Sequence, residues 1–245
     1  MNRIKSSPAG AFSPDPSWRP LYAVGSAAAL LYVVMIIVPL ILVFIAPQPP
    51  SSGGAAVLQY IASHAPIYMI ELVCFVGLSV PALLVFLALS VSLKEMNRSL
   101  TAIGALIAVV SEILALALNS SPPSLNGELV YLSSQYAAAT ADAQRVALAT
   151  AAEGFIASAN AVSAAGILTA LGILLLSVVM LKGVGKGAAF LGIVTGAIGI
   201  VFEALRPLIG MAYTLYGILL LAWFVVAGWK LLRMSRAAGG QFIRS

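Results

Sequence analysis

The chain has 245 residues, 61% of them hydrophobic and only 9% charged, with a mean hydropathy of +1.05. Soluble domains carry about 25% charged residues, so a soluble globular fold is not expected. The lone cysteine, Cys74, rules out an internal disulfide and a Cys-based metal centre, and the net charge of +5 is spread along the chain rather than clustered as a nucleic-acid footprint would require.

Residues 1–20 contain SSPAGAFSPDPSWRP, a Pro- and Ser-rich lead-in that reads as disordered. A bilayer core needs about 20 apolar residues per helix. Six segments reach that length, at 21–46, 67–93, 100–118, 155–181, 188–209 and 211–232. The expected fold is therefore all-α, a polytopic transmembrane bundle of six helices. The first segment is too long for a cleaved signal peptide, whose apolar region runs about 7–15 residues.

Between the first two spans, residues 47–66 begin as a Pro/Gly/Ser loop and end in a short amphipathic stretch at 57–64. Between the third and fourth, NSSPPSLNGE opens a loop at Asn119, and 128–154 form a second amphipathic segment. Its Ala-rich part, from Ala141, favours helix, with Asp142 in the first turn to suit the dipole. It is predicted to run into the fourth span as one long helix. The Asn119-Ser120-Ser121 sequon sits at the membrane edge and carries little weight. The turn KGVGKG at 182–187 lacks phosphate-loop spacing and reads as a flexible basic turn. Residues 233–245 form a basic tail.

With six spans, 11 of the 13 Lys and Arg residues fall on one side: Arg3, Lys5, Arg19, Lys94, Arg98, Lys182, Lys186, Lys230, Arg233, Arg236 and Arg244. Arg145 and Arg206 fall on the other. The positive-inside rule then places both termini in the cytoplasm of a cell that carries this protein in its plasma membrane. The basic residues serve as topology signals and headgroup contacts.

Two stretches resemble a known family. SSQYAAATADAQRVALATAAE, with Tyr136, Asp142, Ala143, Gln144 and Arg145, precedes an apolar helix, and PALLVFLALSVSLKEMNRSL spans 81–100. Both are similar to a prokaryotic family of six-helix integral membrane proteins, an uncharacterised domain of unknown function. The resemblance covers nearly the whole chain. It implies the six-span layout and brings no activity with it.

Ionisable groups at bilayer depth cost roughly 2.5–3.5 kcal/mol on insertion scales and usually face the bundle interior. Glu71, Glu112, Glu153 and Glu203, with Arg206, Asn119 and Asn160, all fall toward the outer ends of their spans. Glu112 and Asn119 share one helix face, as do Glu153 and Asn160. Gly192, Gly196 and Gly199 lead along one stripe of the fifth helix to Glu203 and Arg206, and small residues of this kind mark close helix contact. Glu203 and Arg206 are i, i+3 neighbours that can pair, and Pro207 ends or kinks the helix beside them. These seven polar residues outline an outward-facing pocket with an acidic excess.

That excess suits a small cationic or amphiphilic ligand, bound or transported. His64 and Glu71 form a weak metal candidate through N and O ligands, with Pro66 between them. No cofactor motif is present. No G-x-S-x-G elbow or H-E-x-x-H occurs, and one His serves no triad. Ser111, beside Glu112, lies on a different helix face. Two alternatives stand: an accessory subunit packing its small-residue faces on another membrane protein, and an intramembrane enzyme acting on lipid. The lipid bilayer is the partner common to all three readings, and nucleic acid belongs to none.

Overall fold

A computed structural model describes residues 14–50, 52–118 and 125–242. The helices are α1 (Arg19–Ile45), α2 (Gly54–Ser63), α3 (Ala65–Gly77), α4 (Ser79–Leu93), α5 (Arg98–Ala117), α6 (Gly127–Ala138), α7 (Asp142–Asn160), α8 (Ala164–Met180), α9 (Lys186–Ala204), α10 (Arg206–Ile209) and α11 (Tyr213–Phe242). No strand occurs among the described residues. Six helical stretches are long and apolar enough to cross a bilayer. The flank of α1 exposes Leu30, Leu31, Val34, Ile37, Leu40, Ile41 and Phe44, the last at 87%. An apolar face of that extent needs lipid around it, and the chain reads as a multi-pass membrane protein.

The spans form a closed ring. Helix α1 packs on α4, α4 on α5, α5 on α8, α8 on α9, α9 on α11, and α11 back on α1. Sequence neighbours are thus spatial neighbours, as short turns require. The described segments that carry Arg19, Lys94 and Lys230 meet at one end of the ring. There Lys94 lies 5.2 Å from the centre of the Trp18 ring, Lys230 Nζ donates to the Val184 carbonyl at 2.7 Å, and Arg19 packs against Gly239. At this basic end Asp15 opens the first turn: Ser17 donates both its N–H and its hydroxyl to Asp15 Oδ1, which holds that carboxyl below its usual range.

The ring interior is filled rather than hollow where four aromatics meet. Tyr32 stacks on Phe224 with centroids 3.7 Å apart, and Trp223 sits 5.1 Å from Phe224 and 5.9 Å from Phe86. The glycine stripe of α9 makes this packing possible. A methyl group at Gly192 would overlap Ser177 Oγ and Trp223 Nε1, which are hydrogen-bonded to each other at 3.3 Å. A methyl group at Gly199 would lie 2.8 Å from Ala170 Cβ and crowd the Tyr216 ring. These glycines therefore face α8 and α11 of the same chain, as membrane helices in close contact require.

A second, separate core lies at the opposite, loop end. Val57, Leu58 and Ile61 of α2 pack with Tyr68 and Leu72 of α3, Leu129 of α6, and Ala152 and Ile156 of α7. Tyr68 Oη donates to the Asn126 carbonyl at 3.1 Å and accepts from its N–H at 3.0 Å, and Ser133 Oγ donates to the Leu58 carbonyl at 2.7 Å. Helices α2, α6 and α7 thus form a cap with its own interior.

Several boundaries differ from the sequence expectation. The second span is two helices that meet at Leu78. Pro81 has no N–H to offer the Gly77 carbonyl, so the ladder is interrupted there. The Ala-rich helix does not continue into the fourth span. Ala161 turns extended, Asn160 Nδ2 donates back to the Ile156 carbonyl at 3.1 Å, and Ser163 Oγ caps a new helix by accepting from Gly166 N at 3.0 Å. Phe155–Asn160, counted with that span, thus belong to α7, and Ile156 to the cap core. The segment 128–154 is two helices, because Ala139 and Ala141 take extended backbone. The fifth span ends at Ala204 and not at residue 209, with Pro207 placed in the separate short turn α10. The sixth starts at Tyr213 and continues to Phe242, so much of the basic tail is helical; Arg233 there lies 5.1 Å from the centre of the Trp229 ring.

Candidate functional site

Two of the buried carboxyl groups lie inside the ring near its loop end. Glu112 of α5 is 6% exposed. It sits five residues before the helix ends at Ala117, about 8 Å at 1.5 Å per residue. Thr169 Oγ1 of α8 lies 3.2 Å from Glu112 Oε1, and Ser79, the first residue of α4, is near this carboxyl. Thr169 Oγ1 is also 3.0 Å from Ser111 Oγ. Ser111 and Glu112 were expected on different faces, yet both reach one side chain on the neighbouring helix. Their Cα positions differ by about 100° around α5, and Thr169 stands between them.

Glu203 of α9 is 3% exposed, one residue from the helix end. Its carboxyl lies against the backbone of Gly166 in the first turn of α8; a methyl group there would overlap it. Tyr213 Oη, at the start of α11, donates to Glu203 Oε1 in a short hydrogen bond. Arg206 Nη1 is 3.6 Å from Glu203 Oε2, and the guanidinium carbon lies 5.1 Å from the centre of the Tyr213 ring. At 3.6 Å the ion pair is longer than a hydrogen bond, and Glu203 Oε2 is a buried atom with no hydrogen-bond partner.

Tyrosines join the two groups. The Tyr216 phenol is within electrostatic range of Tyr213, Glu203, Tyr32 and Glu112, and the Tyr32 phenol within range of Glu112 and Tyr213. The Tyr213 and Tyr216 rings meet edge-on at 5.7 Å. Glu112 of α5 and Glu203 of α9 thus lie within range of the same tyrosines of α1 and α11, with Arg206 of α10 beside Glu203.

The remaining sequence-derived candidates lie in other settings. Glu71 of α3 is buried at 6% exposure, with Oε2 unpaired, near Tyr60, Tyr68 and Cys74. Glu153 is exposed and accepts from Gly54 N at 2.6 Å, which ties the start of α2 to α7. Asn160 bonds the carbonyl of its own helix at Ile156. Asn119 lies outside the described residues. His64 stacks on Tyr60 with centroids 4.7 Å apart, and its Nδ1 is 3.2 Å from the Tyr60 carbonyl. Tyr60 Oη donates to the Pro47 carbonyl; burial pushes its phenol up, and the nearby Glu71 charge adds to this. Among the described residues no three His, Cys, Asp or Glu side chains come together as metal ligands. An open groove of about 330 Å³, lined by Leu72, Val73, Val76, Gly77 and Gly127, is apolar and contains none of the carboxylates.

Sequence reasoning passed over Ser79, Thr169, Tyr32, Tyr213 and Tyr216. Single hydroxyls in apolar helices are too common to stand out. One signal was available: Tyr213 and Tyr216 are three apart and follow the Glu203–Arg206 pair across a short connection. No family model, no curated protein and no solved structure matches this chain.

Proposed function

We propose that the protein binds a small organic cation or cationic amphiphile inside its helical ring, as a site for recognition or transport. The observation that carries this reading is the burial of two carboxyl groups, Glu112 and Glu203, within the apolar helices, with Glu203 bonded to the Tyr213 hydroxyl. Burying a carboxyl group in an apolar bundle is costly, and such groups are retained where they serve a pathway or ligand. Aromatic faces add attraction for organic cations, about 0.5–2 kcal/mol each. Arg206 offsets one of the two acids, which leaves an acidic excess. We further infer that the basic end lies in the cytoplasm, so the buried carboxyl groups lie toward the outer side of the plasma membrane. The charge asymmetry of the turns supports that orientation.

The accessory-subunit reading loses its main motif. The Gly192–Gly196–Gly199 stripe is already used against α8 and α11, so it is not available as a partner face.

The test is a thermal melt of detergent-purified protein with a panel of cations: sodium, potassium, magnesium, zinc and tetraethylammonium. A ligand at a hundred times its Kd adds about 2.7 kcal/mol to a native state. We expect tetraethylammonium to raise the wild-type midpoint with concentration and to leave Glu112→Gln/Glu203→Gln unmoved. If no cation shifts the wild type, and the double variant melts as the wild type does, the binding function is wrong.

A further inference from the structure

The contacts of Arg206 have the composition of a cation site. A carboxylate oxygen lies 3.6 Å from its guanidinium, an aromatic ring 5.1 Å from its central carbon, and that ring's hydroxyl is bonded to the same carboxyl group. The side chains are largely withdrawn from surroundings, at 14% exposure for Arg206 and 4% for Glu203. An external guanidinium or alkylammonium would seek the same partners.

Two further features bear on what Arg206 does there. The pair is loose: charge-assisted N–H···O bonds run about 2.7–2.9 Å, whereas Oε2 of Glu203 has no hydrogen bond at all. Arg206 also belongs to neither span. Helix α9 ends at Ala204, Leu205 leaves the helical region, Pro207 follows, and Gly210 adopts φ +49° before α11 begins at Tyr213. Leu208 in this connection is 81% exposed. The segment 205–212 therefore forms a short turn of its own, outside both spanning helices.

Resting on the binding function proposed above, we infer that Arg206 is a tethered cation that fills the Glu203–Tyr213 subsite and is displaced by the ligand. The ligand class follows from what it replaces: a monovalent cation with a flat or alkylated head, such as a guanidinium or a methylated amine. Arg206 then sets affinity by internal competition, and its removal strengthens binding where loss of an ordinary contact residue would weaken it.

The probes are methylguanidinium and tetramethylammonium, titrated into full-length wild type, Arg206→Gln, Arg206→Lys and Arg206→Gln/Glu203→Gln, with the melting midpoint as readout. When a competing internal state is removed, apparent affinity rises by the reciprocal of the competent fraction. Arg206→Gln should start with a lower midpoint and be restored by methylguanidinium at a half-effect concentration about tenfold below that of the wild type. Adding Glu203→Gln should abolish the response. Arg206→Lys should fall between, because a compact ammonium cannot reproduce the planar contact. If Arg206→Gln does not fold, Arg206→Lys carries the comparison alone.

Equal half-effect concentrations in wild type and Arg206→Gln overturn the inference and leave the binding function standing. A response in Arg206→Gln alone supports the inference, with the resting site closed by Arg206. No response in any of the proteins overturns both.

Discussion

Thr169 Oγ1 has one proton and three acceptors in reach: Ser111 Oγ at 3.0 Å, Glu112 Oε1 at 3.2 Å and the Ala165 carbonyl at 3.2 Å. At the residue scale this crowding explains how a carboxyl group is tolerated inside an apolar ring. The Thr169 hydroxyl of α8 meets it, and that hydroxyl has further partners in Ser111 Oγ and the Ala165 carbonyl. The same scale gives the sharpest packing test. Gly192→Ala forces Ser177 and Trp223 apart, and overpacking of this kind costs about 1–3 kcal/mol. Gly217→Ala in α11 meets nothing within 4 Å and should be neutral or slightly stabilising, since Gly in a helix costs about 0.5–1 kcal/mol relative to Ala. Melting midpoints in detergent check both. Equal effects would mean that the glycine stripe is not a tight seam.

At the scale of elements, the interruptions are as informative as the helices. The breaks at Leu78, at 161–163 and at Leu205 all lie toward the loop end. Each has a local cause: the missing N–H of Pro81, the Ser163 cap and the Leu205–Pro207 turn. The first two place Ser79 beside Glu112, and the Gly166 backbone beside Glu203. The cap is held in a different way. Glu153 accepts from the first N–H of α2, a role usually filled by an N-cap side chain of the same helix, which Gly53 cannot supply. Glu153→Ala should cost about 1 kcal/mol and speed hydrogen exchange at amides 54–57 while leaving α9 unchanged. Unchanged exchange at 54–57 would show that the tie does not hold α2.

For the molecule as a whole, the ring and the cap have separate cores, joined through α3 and the α7–α8 break. The orientation proposed from charge is tested in a Cys74→Ser background. A single cysteine at Gly127 of the cap, or at Gly187 of the basic end, is offered to a membrane-impermeant thiol reagent in intact cells. Both positions are exposed. We expect labelling at 127 and none at 187. The reverse pattern would turn the protein over in the membrane and place the acidic cluster on the cytoplasmic side.

Six apolar runs of bilayer length, separated by polar turns, are a property of composition along the chain, so the sequence alone determined the helix class and the number of candidate spans. It also pointed to Glu112, Glu203 and Arg206, because an ionisable group in an apolar run is conspicuous wherever it lies. It could not assemble them. Glu153 and Asn160 share the pattern of the other candidates, yet the bend after Asn160 places them with the cap, and a bend set by one Ser cap is invisible in hydropathy. Tyr32 is far from Tyr216 in sequence and comes near it because the ring closes α1 onto α11, while Thr169 reaches Glu112 because α8 packs on α5. Which polar groups share an interior is decided by helix rotation and neighbour order, and these follow from side-chain packing, such as Gly192 against Ser177 and Trp223, that no one-dimensional pattern records.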